Sequence, residues 1–192
     1  YSKSINITFF ASVWDKDSVD LMSKYTNISN IPSALITDLE LCEYARKKFP
    51  KLIVSTGMST EAQIDACIDA CNPDVIMHTN STYPCPPSEL NMNYILHLRE
   101  KYSNKEIGYS GHEYGIVTTF GAVALGAEWV ERHITWDRNM WGSDQSSSVE
   151  IPGLIKLVKG CNDVVESTMY PPQDRIIFES ERAKMESLRP NK

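Results

Sequence analysis

KLIVSTGMSTEAQIDACIDACNPDVIMHT, residues 51 to 79, carries one full repeat of the pattern that decides the fold. It opens on Leu52, Ile53 and Val54, a short apolar run without polar alternation, which suits a strand covered on both faces. Ser59 and Thr60 then stand where a helix N-cap belongs, ahead of the amphipathic stretch STEAQIDACIDAC. A second apolar run, DVIMHT, closes the unit. Strand, helix and strand at this spacing form a βαβ crossover, which makes the two strands parallel.

The same alternation continues on both sides. Apolar runs stand at 5–13 (INITFFASV), 27–33 (NISNIPS), 105–110 (KEIGYS) and 128–135 (EWVERHIT). Amphipathic segments fill the gaps: DKDSVDLMSKY, DLELCEYARKKF, SELNMNYILHLREKY, GIVTTFGAVALG and a further stretch at 151–166. Asp15, Asp38 and Ser88 join Ser59 or Thr60 as expected N-caps. Six strands, each followed by a helix, predict an α/β fold around a parallel sheet. No GxGxxG follows the first strand, and polar residues gather just after each strand, where barrel enzymes keep their chemistry. The pattern therefore favours a (β/α)₈ TIM barrel over an open doubly wound sheet. A closed barrel needs eight units and typically ~250 residues. The expected fold is accordingly an incomplete TIM-barrel type, with about strands 3 to 8 present in these 192 residues. The expected domains are 1–170 for the partial barrel and 171–192 for a C-terminal tail or helix, within which DRIIFESERAKMESL is a charged surface segment. The chain has no initiator methionine and is expected to begin inside a longer one.

Composition narrows the partner. Nineteen basic against 25 acidic side chains leave a net charge of −6 with no Lys/Arg cluster, which argues against nucleic acid or an anionic membrane and for a small molecule. No run approaches the ~20 apolar residues of a membrane span. YSKSINITFF lacks the basic n-region of a secretion signal. The cysteines at 42, 67, 71, 85 and 161 are odd in number and form no CxxC pair, so neither a disulfide framework nor a zinc knuckle is expected, and the expected compartment is the cytoplasm. Cys67 and Cys71 share a helix face and read as small apolar residues packing inward.

Taken in order, the strand ends offer Ser12 and Trp14, Ser33, Ser55-Thr56-Gly57-Met58, Asn80-Ser81-Thr82-Tyr83, Ser110-Gly111-His112 and His133. Hydroxyls and backbone N–H groups around one rim suit a phosphate held without much formal charge. His112 and His133 close neighbouring strands, so they are expected to stand one strand spacing apart, where two imidazoles can hold a divalent cation and leave positions open to water and substrate. Spacing alone leaves the alternative open that each is merely hydrogen-bonded near the rim, because two ligands without a third are a weak metal signal. His78, inside its strand, reads as a hydrogen-bonded core residue, and His97 as part of a helix face.

VSTGMSTEAQID, HTNSTYPCPP, GYSGHEYGI, LGAEWVERHIT and DRNMWGSDQSSSVE stand in an order and spacing that resembles the N-acetylneuraminate (sialic acid) synthases and their relatives for legionaminate, pseudaminate and spore-coat sugars, over roughly residues 5–165. The resemblance implies a barrel that condenses phosphoenolpyruvate with an N-acylated aminohexose (N-acylated hexosamine), releasing phosphate and forming a nonulosonic acid. It implies that His112 and His133 bind a divalent metal, Mn²⁺ ahead of Mg²⁺ or Co²⁺, and act catalytically with Asp144. Ser12, Ser33, Ser55, Ser81 and Ser110 then surround phosphoenolpyruvate, and Tyr83 and Asp144 lie near the sugar. Two positions depart from the family pattern. Asn30 stands where the strand-4 signature has a lysine, and Leu35 stands where sialic acid synthases have an acidic sugar contact. The family's first two barrel units, which contribute a glutamate and a second lysine, are not in the sequence, and no antifreeze-like C-terminal domain follows Lys192. A homo-oligomer or a complementing N-terminal segment is therefore the expected macromolecular partner. Two functions stay open: a condensing synthase, or a truncated or degenerate homologue that binds a sugar or anion, or only assembles, without turnover. A rival aldolase would want a Schiff-base lysine at a strand end, and none of these ends has one.

Overall fold

The structure is a computed structural model that describes residues 1–169 and 175–189. Five strands, β1 (Ile28–Ile31), β2 (Lys51–Ser55), β3 (Val75–Thr79), β4 (Glu106–Gly111) and β5 (Trp129–Arg132), form one parallel sheet in sequential order. A doubly wound sheet reverses its strand order at a switch point, and this one does not. The sheet curls into a half-barrel, consistent with an incomplete TIM barrel.

Strand alternation sorts the core into two parts. Residues such as Ile31, Leu52, Val54, Ile76, Ile107 and Tyr109 face outward and pack on α2 (Leu39–Lys48), α3 (Glu61–Cys71), α4 (Tyr94–Lys101) and α5 (Val117–Ala124) through Leu41, Cys67, Leu98 and Ala122. Cys67 and Cys71 pack into this main core as expected. Facing the other way, Ile53, Val75 and Met77 form a small inner cluster with Phe10, Ile28 and Trp129.

Residues 5–13 do not form the expected first strand. They make a single parallel bridge, Ser12 to Asn30, with the Val13 N–H donating to the Asn30 carbonyl at 3.1 Å. By that register Phe10 already lies opposite Ile28, the first residue of β1, so Ile5, Ile7 and Phe9 run past the strand and stay exposed. The Ser29 hydroxyl takes the Ala11 carbonyl at 2.9 Å, a side-chain substitute for a ladder bond. The sheet thus has five strands and a bridge rather than six strands. EWVERHIT is also broken: it leaves the sheet at His133, and β6 (Ile134–Thr135) pairs instead with β7 (Val149–Glu150).

Three of the expected caps are in place. Asp15, Asp38 and Thr60 accept from the N–H groups of Ser18 (2.6 Å), Leu41 (3.0 Å) and Gln63 (3.4 Å) at the starts of α1 (Lys16–Met22), α2 and α3. Ser88 caps nothing. It sits in a 3₁₀ turn, Pro87–Glu89, and the left-handed Asn91 (φ 45°) delays the helix to Tyr94. The 151–166 stretch is α6 (Ile151–Thr168), and the C-terminal charged segment contains α7 (Glu179–Leu188), which buries no side chain. Asp174 of that segment and residues 171–173 and 190–192 of the expected tail lie outside the described residues. Among the described residues no helix is long and apolar enough to cross a membrane.

Gly108 shows how tightly the inner face is filled. A methyl group there would overlap the Met77 sulfur and stand 2.7 Å from Trp129 Cβ. Gly108→Ala is expected to lower stability by about 1–3 kcal/mol, as overpacking does, read as an earlier urea midpoint. Met77→Ala on that background should recover part of the loss, because Met77 is the nearest obstacle. An unchanged midpoint would contradict this account of the inner face.

Candidate active site

The inner face changes character along the strands. Above the apolar cluster it turns polar with Asn30, Ser55, Thr79, Ser110 and Glu131. Ser12, Ser33, Ser81, Tyr83, His112, His133 and Asp144 complete the lining of one cleft of about 470 Å³ at the carboxyl ends of the strands. Every side chain singled out in the sequence as a site residue thus faces the same space, joined by Trp14, Pro32, Ala34 and Met58.

One wall is made of hydroxyls. The Asn30 amide donates to Ser12 Oγ and its oxygen accepts from Ser55 Oγ, both at 3.3 Å. The Gly57 N–H donates to Ser33 Oγ at 3.0 Å. A methyl at 57 would overlap Ser81 Oγ and stand 2.8 Å from Ser33 Oγ, so glycine is what lets both hydroxyls close over this backbone. Leu35 packs against the main core, away from the cleft.

The opposite wall carries the imidazoles. Ser110 and Glu131 are paired residues of β4 and β5, and the serine hydroxyl donates to Glu131 Oε1 at 2.7 Å. One step further along the same face stand His112 and His133, with ring centroids 5.2 Å apart. The Tyr83 ring lies against both, at 4.1 Å and 5.6 Å. His112 Nδ1 is 2.7 Å from the Asn80 carbonyl, which can only accept, so Nδ1 carries the proton and Nε2 keeps its lone pair. Burial holds the His112 imidazole below its ordinary range, which keeps it neutral near pH 7. His133 Nδ1 lies 3.7 Å from Asp144 Oδ2. The Asp144 carbonyl is fastened by the hydroxyls of Ser147 (3.0 Å) and Ser148 (2.8 Å), both buried. Burial, reinforced by the charges of Asp144 and Glu131, pushes the Tyr83 phenol up and keeps it a hydrogen-bond donor.

A neutral imidazole with its second nitrogen held by a carbonyl is the usual form of a metal-ligating histidine, and His112 meets that description. His112 and His133 together fit a divalent transition cation. Among the described residues no group of three His, Cys, Asp or Glu side chains converges, so other positions on such a cation would go to water, substrate or further groups. The charge balance points the same way. Among the described residues no lysine or arginine lines the cleft, whereas Glu131 and Asp144 do. An anion entering it would need a cation to offset those carboxylates.

Outside this site, His78 is buried with Nε2 2.7 Å from the Leu90 carbonyl, and His97 pairs with Glu61 at 2.9 Å, so both serve structure. The sequence reading missed Glu131. The signal was present, because Trp129, Glu131 and His133 recur every second residue and must share a face.

A curled parallel sheet with a polar cleft at its carboxyl edge defines a barrel-type site for small polar molecules. Residues 1–170 match the NeuB family, and the chain belongs to this family of sialic acid and other nonulosonic acid synthases. It is 33% identical over 181 residues to the N-acetylneuraminate-9-phosphate synthase of Drosophila melanogaster, covering 91% of this chain and 49% of that protein. It is 34% identical over 166 residues to the N,N'-diacetyllegionaminic acid synthase of Campylobacter jejuni, covering 82% and 49%. The sialic acid synthetase of Leptospira borgpetersenii superposes with a TM-score of 0.87 at 30% identity, over 97% of this chain and 66% of that one. The chain spans about half the length of the relatives it matches by sequence.

The His112 assignment can be checked directly. Long-range ¹H–¹⁵N correlation spectra should show the Nδ1–H tautomer, with an inflection on acid titration below the usual imidazole value, because burial opposes the charged form. An Nε2–H tautomer, or an inflection at or above that value, would contradict it.

Proposed function

We propose that this chain is the greater part of a synthase barrel that condenses phosphoenolpyruvate with an N-acylated aminohexose, with residues 1–170 as the working unit and 171–192 as an appended tail. The observation that carries this reading is that a hydroxyl wall and an imidazole pair face each other across one cleft, in a chain of this family. In the reaction C3 of phosphoenolpyruvate attacks the open-chain sugar's aldehyde carbon, water adds at C2, and the tetrahedral intermediate loses phosphate by C–O cleavage. A divalent cation, Mn²⁺ first, held by His112 and His133 would supply Lewis acidity toward the aldehyde oxygen.

The chain's own groups divide the remaining work by which protons they have free. Ser12 and Ser33 accept from Asn30 and Gly57, so their O–H groups remain to donate to a phosphate beside Ser81. Ser55 and Ser110 spend their protons on Asn30 and Glu131 and present lone pairs to the cleft. Those two suit a water or a sugar hydroxyl better than a phosphate oxygen. Tyr83 donates and Asp144 accepts on the sugar side, at an edge near His133. The outer side of the 10–13 segment bridged to β1 and the far side of β5 are where a complementing N-terminal segment or a second copy would close the barrel.

A second reading, binding without turnover, is favoured by one observation: a neutral Asn30, hydrogen-bonded to Ser12 and Ser55, stands where a lysine would carry charge. Phosphate release from phosphoenolpyruvate with Mn²⁺ and a panel of N-acylated hexosamines separates the two. The synthase reading expects sugar-dependent release that His112→Ala or His133→Ala abolishes. Calorimetric binding of either substrate with no release would favour the second reading. Asn30→Lys should tighten phosphoenolpyruvate binding by roughly 1.5–3 kcal/mol, the worth of a charge-assisted hydrogen bond, and an unchanged dissociation constant would remove Asn30 from the phosphate site.

A further inference from the structure

Behind the two histidines, on the outer face of the sheet, lies a buried polar cluster that the proposed reaction does not touch. Glu113 follows His112 and Arg132 precedes His133, and neither side chain lines the cleft. The two form an ion pair at 2.9 Å with side chains 1% and 2% exposed. Arg132 Nη1 also donates to the Gly115 carbonyl and to Thr119 Oγ1, both at 2.8 Å. Its Nη2 donates to the Glu113 carbonyl at 2.8 Å and to the Ser147 carbonyl at 3.4 Å. The Glu113 carboxylate accepts from Tyr109 (2.8 Å), Thr118 (2.7 Å) and Thr119 (2.9 Å). Gly111 makes room for the pair, since a methyl there would stand 2.6 Å from Glu113 Oε2 and 3.0 Å from Arg132 Cδ.

Stability does not explain such an arrangement. Removing two charges from water costs about as much as their attraction returns, and an apolar pair of similar volume often does as well. Arg132 Nε is moreover buried without a partner. What the cluster does supply is a fixed geometry. One guanidinium reaches the backbone next to His112, the first turn of α5, and the carbonyl of Ser147, whose hydroxyl in turn holds the Asp144 backbone. Three otherwise separate loops are referred to a single planar group.

We propose that Glu113 and Arg132 are positioning residues that set the mutual placement of His112, His133 and the Asp144 loop. The proposal rests on the reading of the two histidines as a cation site, and the test separates the two. Glu113→Gln keeps the shape without the charge. Arg132→Lys keeps the charge without the fork that spans Glu113, Thr119 and Ser147. Leu98→Ala, which opens the main core in α4, controls for stability alone. Three quantities are measured on each chain: the melting temperature, the Mn²⁺ dissociation constant by calorimetry, and the imidazole ¹⁵N shifts of His112 and His133 without metal.

The expected result is a cooperative melt in both positioning variants, Mn²⁺ binding weakened about 10–100-fold as for lost outer-shell partners, and displaced resonances from both histidines. Leu98→Ala should lower the melting temperature at least as far and leave the other two readouts unmoved. Unchanged affinity together with unmoved resonances would overturn the proposal, and so would failure of both variants to melt cooperatively, which would make the pair purely structural. If the unaltered chain binds no Mn²⁺, the cation reading fails by itself. The metal-free resonances then decide: displaced, they support positioning, and unmoved, they overturn it.

Discussion

The register of β5 against β4 is the constraint on which the rest of the site depends. Ser110 lies opposite Glu131 and Gly111 opposite Arg132. A slip of one residue would turn every side chain of β5 to the other face, sending Glu131 and His133 out of the cleft and Arg132 into it. The register is held at both ends of the strand. At the start Trp129 donates its indole N–H to Glu106 at 2.6 Å and lies under the Lys51 ammonium at 4.5 Å, while Gly108 leaves its body room to enter the inner cluster. Glu106 in turn pairs with Lys51 at 2.9 Å, which ties β2 to the same point. At the far end the Ser110–Glu131 hydrogen bond faces the cleft, and the Glu113–Arg132 pair lies behind it. Two polar locks on opposite faces leave the two histidines little choice of position.

Glu113 shows the electrostatics of such a lock. Burial alone would raise its carboxyl, but the Arg132 guanidinium and the hydroxyls around it outweigh that effect and hold it below the ordinary carboxylate range. The charge therefore persists inside the protein because several donors converge on it. Across the sheet the balance is reversed for His112, where burial favours the neutral ring and outweighs the opposing pull of its single carbonyl partner. Adjacent residues on one strand end are thus held in different charge states, one a structural anion and one neutral with a free lone pair.

Much of this was legible in the sequence, and the failures have physical reasons. β2 and β3 were visible because parallel strands buried on two faces read as apolar runs, as in KLIVS and VIMHT. Residues 5–13 carry the same signal and fail, because apolar character does not reveal whether a neighbouring strand exists at the right height. Ser88 fails for a local reason, the left-handed turn at Asn91. The site was legible where it follows from topology: a residue at the carboxyl end of a barrel strand faces the cleft, and Ser55, Ser110, His112 and His133 do. Attention to strand ends alone passed over Glu131, two residues inside. The Glu113–Arg132 pair was not readable at all, since it joins residues 19 apart whose proximity depends on the β4–β5 register.

Asn30 shows what a neutral side chain does in place of a charged one in this wall. At 4% exposure its amide is satisfied on both sides by serine hydroxyls, so its place in the wall is filled without a buried charge. A lysine in the same place would be a buried cation whose partner arrives only with a phosphate, and burial of an unpaired charge is strongly unfavourable. An amide in this place instead satisfies both serines without introducing a charge. On the reading proposed above, a cation held by His112 and His133 would supply the compensation, across the cleft from the hydroxyls that retain free protons. On that reading the hydroxyl wall and the imidazole pair would act together, because Glu131 and Asp144 in the lining oppose an anion unless a cation offsets them.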